Sequence, residues 1–133
     1  GRLGIASSCV IEASRGNADS IMETAGTDIR KIKSGTIKKS IDEGEESVLQ
    51  IMKRSIYYLG VGVTSVVELL APEVVVLGGG LVEKMPELYL GGMKDAVHKY
   101  GSKALADGVD FRVAKKGDIA VAAGAASYAL ERA

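Results

Sequence analysis

PEVVVLGGGLVEKMP, residues 72–86, is the stretch on which the fold turns. Val74, Val75, Val76 and Leu77 run straight into Gly78, Gly79 and Gly80, and a helical pattern starts at once. A β-branched run without alternation predicts a strand covered on both faces, the pattern of a parallel sheet. Pro86 suits the first turn of a helix reaching about Tyr100. Three glycines exceed what a tight corner requires. The residues leave two readings open: a backbone that something must approach closely, or a strand-to-helix corner with no ligand. Glu83 stands where the third glycine of a G-x-G-x-x-G motif would be, and no G-K-[ST] follows. A dinucleotide fingerprint and a P-loop are therefore both excluded.

Upstream lies the dominant element, EESVLQIMKRSIYYLGVGVTSVVELLA, residues 45–71. Val48, Met52, Ile56, Leu59, Val63, Val66 or Val67, and Leu70 recur every three to four residues, which predicts one long helix ended by Pro72. Glu45 and Glu46 suit the positive end of its dipole. Gly60 and Gly62 inside it cost roughly 1 kcal/mol each against alanine. Either another backbone packs closely there, or a ligand or moving lobe uses that face.

Downstream, GVDFRVA at 108–114 alternates, with Val109, Phe111 and Val113 on one face of a second strand. KKGD turns it into IAVAAGAASYALER, a small-residue helix suited to close packing on a sheet. At the other end, residues 5–24 read as one helix weakened by Gly16, and AGTD at 25–28 as a turn from which Asp28 starts the next segment. Ser34 reads as the N-cap of a short helix through Ile37 and Ile41, closed by Gly44. The order helix, strand, helix, strand, helix predicts a βαβ crossover flanked by helices.

The chain has 133 residues, one domain's worth, with Lys+Arg and Asp+Glu equal at 17 each. That balance gives no field drawing the chain to nucleic acid or anionic membrane. Lys53, Arg54 and Glu68 interrupt the long helix, so no membrane span is expected. One cysteine excludes an internal disulfide and fits a reducing, cytoplasmic setting. No secretion leader is visible, and a first residue Gly1 fits a chain cut from something longer, or a processed tag. Two strands do not make an independent sheet in water. The sheet's partners are expected either in a second copy or, the favoured reading, upstream.

LGVGVTSVVELLAPEVVVLGGGLVE, residues 59–83, resembles the C-terminal half of the ROK family (repressors, open reading frames and sugar kinases). The likeness runs on through VAKKGDIAVAAGAASYALERA, similar to the family's closing strand, Gly-Asp turn and last helix. It runs back through AGTDIRKIKSGTIKKSIDEGEESV, like the helical insert, and IASSCVI, like an ASG-x-A-I segment. The resemblance implies an α/β fold, the C-terminal lobe of an actin-like (ribonuclease H-like) ATPase over residues 1–133, helix-rich with a few parallel strands. It implies that Gly78, Gly79 and Gly80 are the adenosine-side turn, against which ATP or ADP lies. Mg²⁺, the first phosphate loop and the catalytic aspartate would belong to the missing N-terminal lobe. No catalytic and no metal-ligating residue is therefore assigned here, and phosphoryl transfer is expected of the whole protein alone. The family's zinc segment is absent: Arg2 stands about where its last cysteine would be, and Gly4 about where a sugar-holding glutamate would be. One cysteine cannot supply four ligands, so no zinc is expected.

The expected function is thus the nucleotide-binding lobe of an ATP-dependent, glucokinase-like sugar kinase, homodimeric when intact. Alternatives are the sugar-sensing lobe of a ROK-type transcription regulator and a non-catalytic dimerising module. The remaining polar candidates read blandly. His98 is expected at a solvated helix end, and Cys9 in packing. The basic run RKIK at 30–33 with Lys38 and Lys39 reads as a solvated face, with phosphate attraction as the sharper option. Asp42, Glu43, Glu45 and Glu46 are expected to cap and solvate helix ends, and Asp118 to cap the last helix.

Overall fold

The structure is a computed structural model that describes residues 1–115 and 117–132. Its elements are α1 (Arg2–Ser14), α2 (Asp19–Ala25), α3 (Ser34–Asp42), α4 (Glu46–Leu70), β1 (Val74–Leu77), α5 (Gly80–Lys84), α6 (Pro86–Tyr100), α7 (Lys103–Gly108), β2 (Asp110–Val113), a 3₁₀ turn (Gly117–Ile119) and α8 (Ala120–Leu130). The α/β, helix-rich character and the parallel strand pair expected from the sequence are both present. β1 and β2 pair in parallel, with Val75 opposite Phe111 and Leu77 opposite Val113.

The core is built on α4 crossing α6. The buried stripe of α4 is Val48, Met52, Ile56, Gly60, Thr64 and Val67. It departs from the apolar periodicity in its second half, where Leu59 and Leu70 are 43% and 68% exposed. The reason is Gly60: a Cβ there would stand 2.5 Å from that of Ala96 on α6. The contact line follows the two closely spaced backbones rather than the bulkiest side chains. Gly92 reciprocates, lying directly against Ile56. Gly62 has open space where its Cβ would be, so the close-packing reading holds for one glycine of the pair. Thr64, buried on the same line, donates its hydroxyl to the Gly60 carbonyl at 2.8 Å. α4 ends on Ala71 in the left-handed conformation (φ 43°), and Pro72 prevents its continuation.

Several sequence expectations need correction. Residues 5–24 form two helices, because the chain turns at Gly16 (φ +78°). Ser34 is the first helical residue of α3, not its N-cap; Lys33 holds that place, without a side-chain cap bond. Asp28 accepts the backbone N–H of Arg30 at 3.0 Å and closes a tight turn. Glu45 is the residue before α4, not part of its first turn. The second strand is shorter than 108–114, since α7 takes the chain up to Gly108. EVVVL is not covered on both faces: Val74 and Val76 are 39% and 61% exposed, while Leu77 is buried. The sheet thus has an inner face, with Leu77 and Phe111 in the core, and an outer one that nothing among the described residues covers. α8 does not pack on the sheet either and has no buried residue. Its small side chains carry the expected composition, but the surface they would meet is not supplied by the described residues.

Candidate nucleotide-facing turn

Leu77 is anchored in the core, and its carbonyl accepts the N–H of Ala114 at 2.8 Å, one residue past β2. Both strands therefore finish level, and Gly78, Gly79 and Gly80 emerge at their carboxyl ends. In open α/β sheets that is the end at which ligands bind. All three glycines are exposed. Gly79 has φ +118° and ψ 157°, a conformation closed to residues with a Cβ. Gly78 lies so that an added Cβ would touch Ala114 at 3.5 Å. Among the described residues no carbonyl or side chain takes up the three glycine amides. The turn is a strip of exposed backbone whose N–H donors have no partner among the described residues.

Two neighbours frame it. Ser34, at the start of α3, puts its hydroxyl 3.4 Å from where a Cβ on Gly80 would be. On the other side the Glu83 carboxylate approaches Gly117, whose added Cβ would stand 3.1 Å from Oε2. The start of α3 thus meets Gly80, the end of β2 meets Gly78, and the turn after β2 meets Glu83 of α5. No sequence pattern linked Ser34 to Gly80, which are far apart in the chain. Grooves of about 590 Å³ between α1 and α4, lined by Arg15, Arg54 and Tyr58, and of about 440 Å³ between α4 and α6 open on other faces. Neither includes the glycines. The turn is open surface and lies outside both grooves.

The bland readings of the other polar residues mostly hold. Cys9 is fully buried, and burial first, then the charge of Glu45, pushes its thiol up to about 11. His98 is exposed, with Nδ1 3.0 Å from the Lys94 carbonyl and Nε2 3.4 Å from Asp107. The basic run is largely paired: Arg30 with Asp28 at 3.0 Å, Lys38 with Asp42 at 2.6 Å and Lys39 with Glu43 at 3.5 Å. The hydrogen bond from Arg30 holds the Asp28 carboxyl below its ordinary value. Arg2 donates to the Ile32 carbonyl at 3.1 Å, tying the first helix to the segment ahead of α3. The side chain of Asp118 lies outside the described residues. Glu45 is the exception. It sits at helix ends as expected, at the N-cap position of α4 with its carboxylate taking the backbone N–H of Ser20 in the first turn of α2 at 2.6 Å. It is, however, half-buried rather than solvated and also accepts the Ser40 hydroxyl. The sequence signal for this was only its place in an acidic run.

Comparison with known proteins agrees with this architecture. Residues 5–132 match the ROK family profile, and the chain belongs to that family. It is 32% identical over 77 residues to a glucokinase of Halalkalibacterium halodurans, an alignment covering 58% of this chain and 23% of the glucokinase. The fold superposes on a candidate sugar kinase from Cytophaga hutchinsonii with a TM-score of 0.70 at 15% identity, over 92% of this chain and 40% of that one. The chain thus spans well under half the length of either relative. No helix among the described residues is long and apolar enough to cross a membrane.

Proposed function

We propose that this chain is the nucleotide-binding C-terminal lobe of an ATP-dependent sugar kinase with an actin-like fold. The observation that carries the reading is the bare turn at Gly78–Gly80. It lies at the carboxyl ends of two parallel strands, its amides are unused among the described residues, and Gly79 holds a backbone conformation that only glycine adopts freely. A flat adenosine or a diphosphate can lie on such a surface because no Cβ intervenes. Membership of the ROK family and similarity to a glucokinase support a sugar as the phosphate acceptor. Phosphoryl transfer is mostly positioning plus charge stabilisation. In this reading the lobe positions the nucleotide, while the base that takes the sugar hydroxyl's proton comes from the other lobe.

Mg²⁺ bound with ATP would supply charge neutralisation at the phosphates. The turn offers N–H donors, not the oxygen ligands that Mg²⁺ prefers. The carboxylate beside it, Glu83, is directed at Gly117, so these residues do not form a metal cradle. The other lobe holds the ion in this reading.

The uncovered parts of the lobe fit the same view. The outer face of β1 and the whole of α8 await a covering surface, and an upstream lobe would provide it. The test is Gly79→Val in the intact protein, with ADP affinity measured by calorimetry. The change forces a β-branched residue to φ +118° and places a side chain on the turn. It should weaken ADP binding at least about tenfold, a loss of roughly 1.4 kcal/mol. Unchanged affinity would remove the turn from the nucleotide site.

A further inference from the structure

Glu45 stands where α2, α3 and α4 converge. Oε1 accepts the backbone N–H of Ser20, in the first turn of α2, at 2.6 Å. Oε2 accepts the hydroxyl of Ser40, fully buried in the last turn of α3. The Glu45 amide in turn donates to the Ser40 carbonyl at 3.2 Å. One carboxylate therefore ties two helices to the entrance of a third. Ser20's own hydroxyl is buried without a partner among the described residues, so what this junction uses of Ser20 is its backbone N–H.

The far end of α3 meets the glycine turn. Six residues of helix, about 9 Å, separate Ser40 from Ser34. Ser34 in turn stands against Gly80, at 3.4 Å from the position of a Cβ there. Between them the buried Ile37 seats α3 on the core, while Lys38 and Lys39 pair outward with Asp42 and Glu43. An apolar seat is non-directional and leaves a short helix free to slide and roll. Hydrogen bonds to a carboxylate are strong and directional. α3 is thus a strut with one end clamped by Glu45 and the other resting on the turn.

We propose that Glu45 is a positioning residue for the nucleotide site: by clamping Ser40 and the head of α2, it sets the separation of Ser34 from Gly80 and so the fit of a nucleoside diphosphate between α3 and the turn. The proposal rests on the nucleotide reading of residues 78–80. It predicts that a side chain remote from the ligand tunes ligand affinity through α3.

The experiment compares Glu45→Ala, Glu45→Gln and Ser40→Ala in the intact protein, with Gly79→Val as reference. ADP affinity is measured by calorimetry on the folded fraction, and amide exchange is followed in α3 and α6. Glu45→Ala should weaken ADP about tenfold and Ser40→Ala about threefold, the order expected for loss of a charge-assisted hydrogen bond. Glu45→Gln should retain most of the affinity, because its amide oxygen still accepts from Ser20 and its NH₂ can donate to Ser40. Protection should fall in α3 while α6 keeps its own. A purely structural role would loosen both helices and leave the ADP constant unchanged. That outcome, with Gly79→Val still defective, overturns the proposal and spares the nucleotide reading. If Gly79→Val binds ADP normally, the nucleotide reading fails and this proposal with it. Should Glu45→Ala not fold, Ser40→Ala decides: normal ADP affinity and normal α3 protection overturn the clamp.

Discussion

Gly60 and Gly62 lie two residues apart on one helix and meet opposite surroundings. A methyl on Gly60 would stand 2.5 Å from the Ala96 Cβ, whereas one on Gly62 meets nothing within 4 Å. Gly60→Ala should therefore destabilise by about 1–3 kcal/mol through overpacking, despite the better helix propensity. Gly62→Ala should stabilise by roughly 0.5–1 kcal/mol, the ordinary gain in a helix interior. Urea unfolding of the two variants decides both, and equal signs would contradict the packing. The thiol of Cys9 makes a second residue-scale prediction. Its value rises from 9.0 to about 11 on folding, so the native state holds the proton more tightly. That contribution is complete below pH 9 and disappears as pH climbs through about 11. Other groups titrate in the same window, so the measure is a difference: the alkaline loss of stability should be smaller in Cys9→Ala than in the parent chain. At this scale the sequence was legible where a residue's role is intrinsic, as for the buried Cys9. It offered close packing at Gly60 without naming Ala96 as the partner, and it was silent on the pairing of Glu45 with Ser20.

Elements were read correctly where local signals agreed. Pro72 and Pro86 bound the glycine segment, the long helix carried a sustained period, and β1 carried a β-branched run. The break between α1 and α2 was not legible, because Gly16 in an apolar pattern is as compatible with a weakened helix as with a turn until its φ of +78° is known. α7 escaped because six residues are too few for a period to show. β1 was read as buried on both faces, and its composition says so, yet Val76 is 61% exposed. α8 is the same case: an apolar helix with no buried residue. If the proposed second lobe covers them, both compositions record a surface met outside the described residues. α8 accordingly has little tertiary stabilisation in this chain, and isolated helices of its length are marginal in water. The amides of Ala120–Leu130 should exchange within the fast limit in the 133-residue chain, while those of Ile56 and Val67 on α4 stay protected. In the intact protein the α8 amides should gain protection. Strong protection of α8 in the isolated chain would mean that it finds a cover there.

For the whole molecule, the uncovered apolar surface is the feature with the widest consequences. Val76 on β1, Leu69 and Leu70 on α4, and Val121 and Leu130 on α8 are all between 61% and 84% exposed. If the chain is the C-terminal lobe proposed above, these exposed apolar side chains are the surface that the other lobe would cover. The two states of the protein then respond to one substitution in opposite ways. Val76→Lys in the 133-residue chain changes an exposed side chain, so stability should stay within about 0.5 kcal/mol. Solubility should rise at the same time, because the lysine interrupts a sticky strand edge. In the intact protein the same lysine would be driven beneath the covering segment, where an unpaired buried charge costs about 3 kcal/mol or more. The measurement is urea unfolding of both forms with and without the substitution. If the intact protein tolerates the lysine as readily as the isolated chain, the outer face of β1 is solvent-exposed in both. The proposed placement of a second lobe over this sheet would then be wrong, although the nucleotide reading proposed for the glycine turn after Leu77 would be untouched by that result.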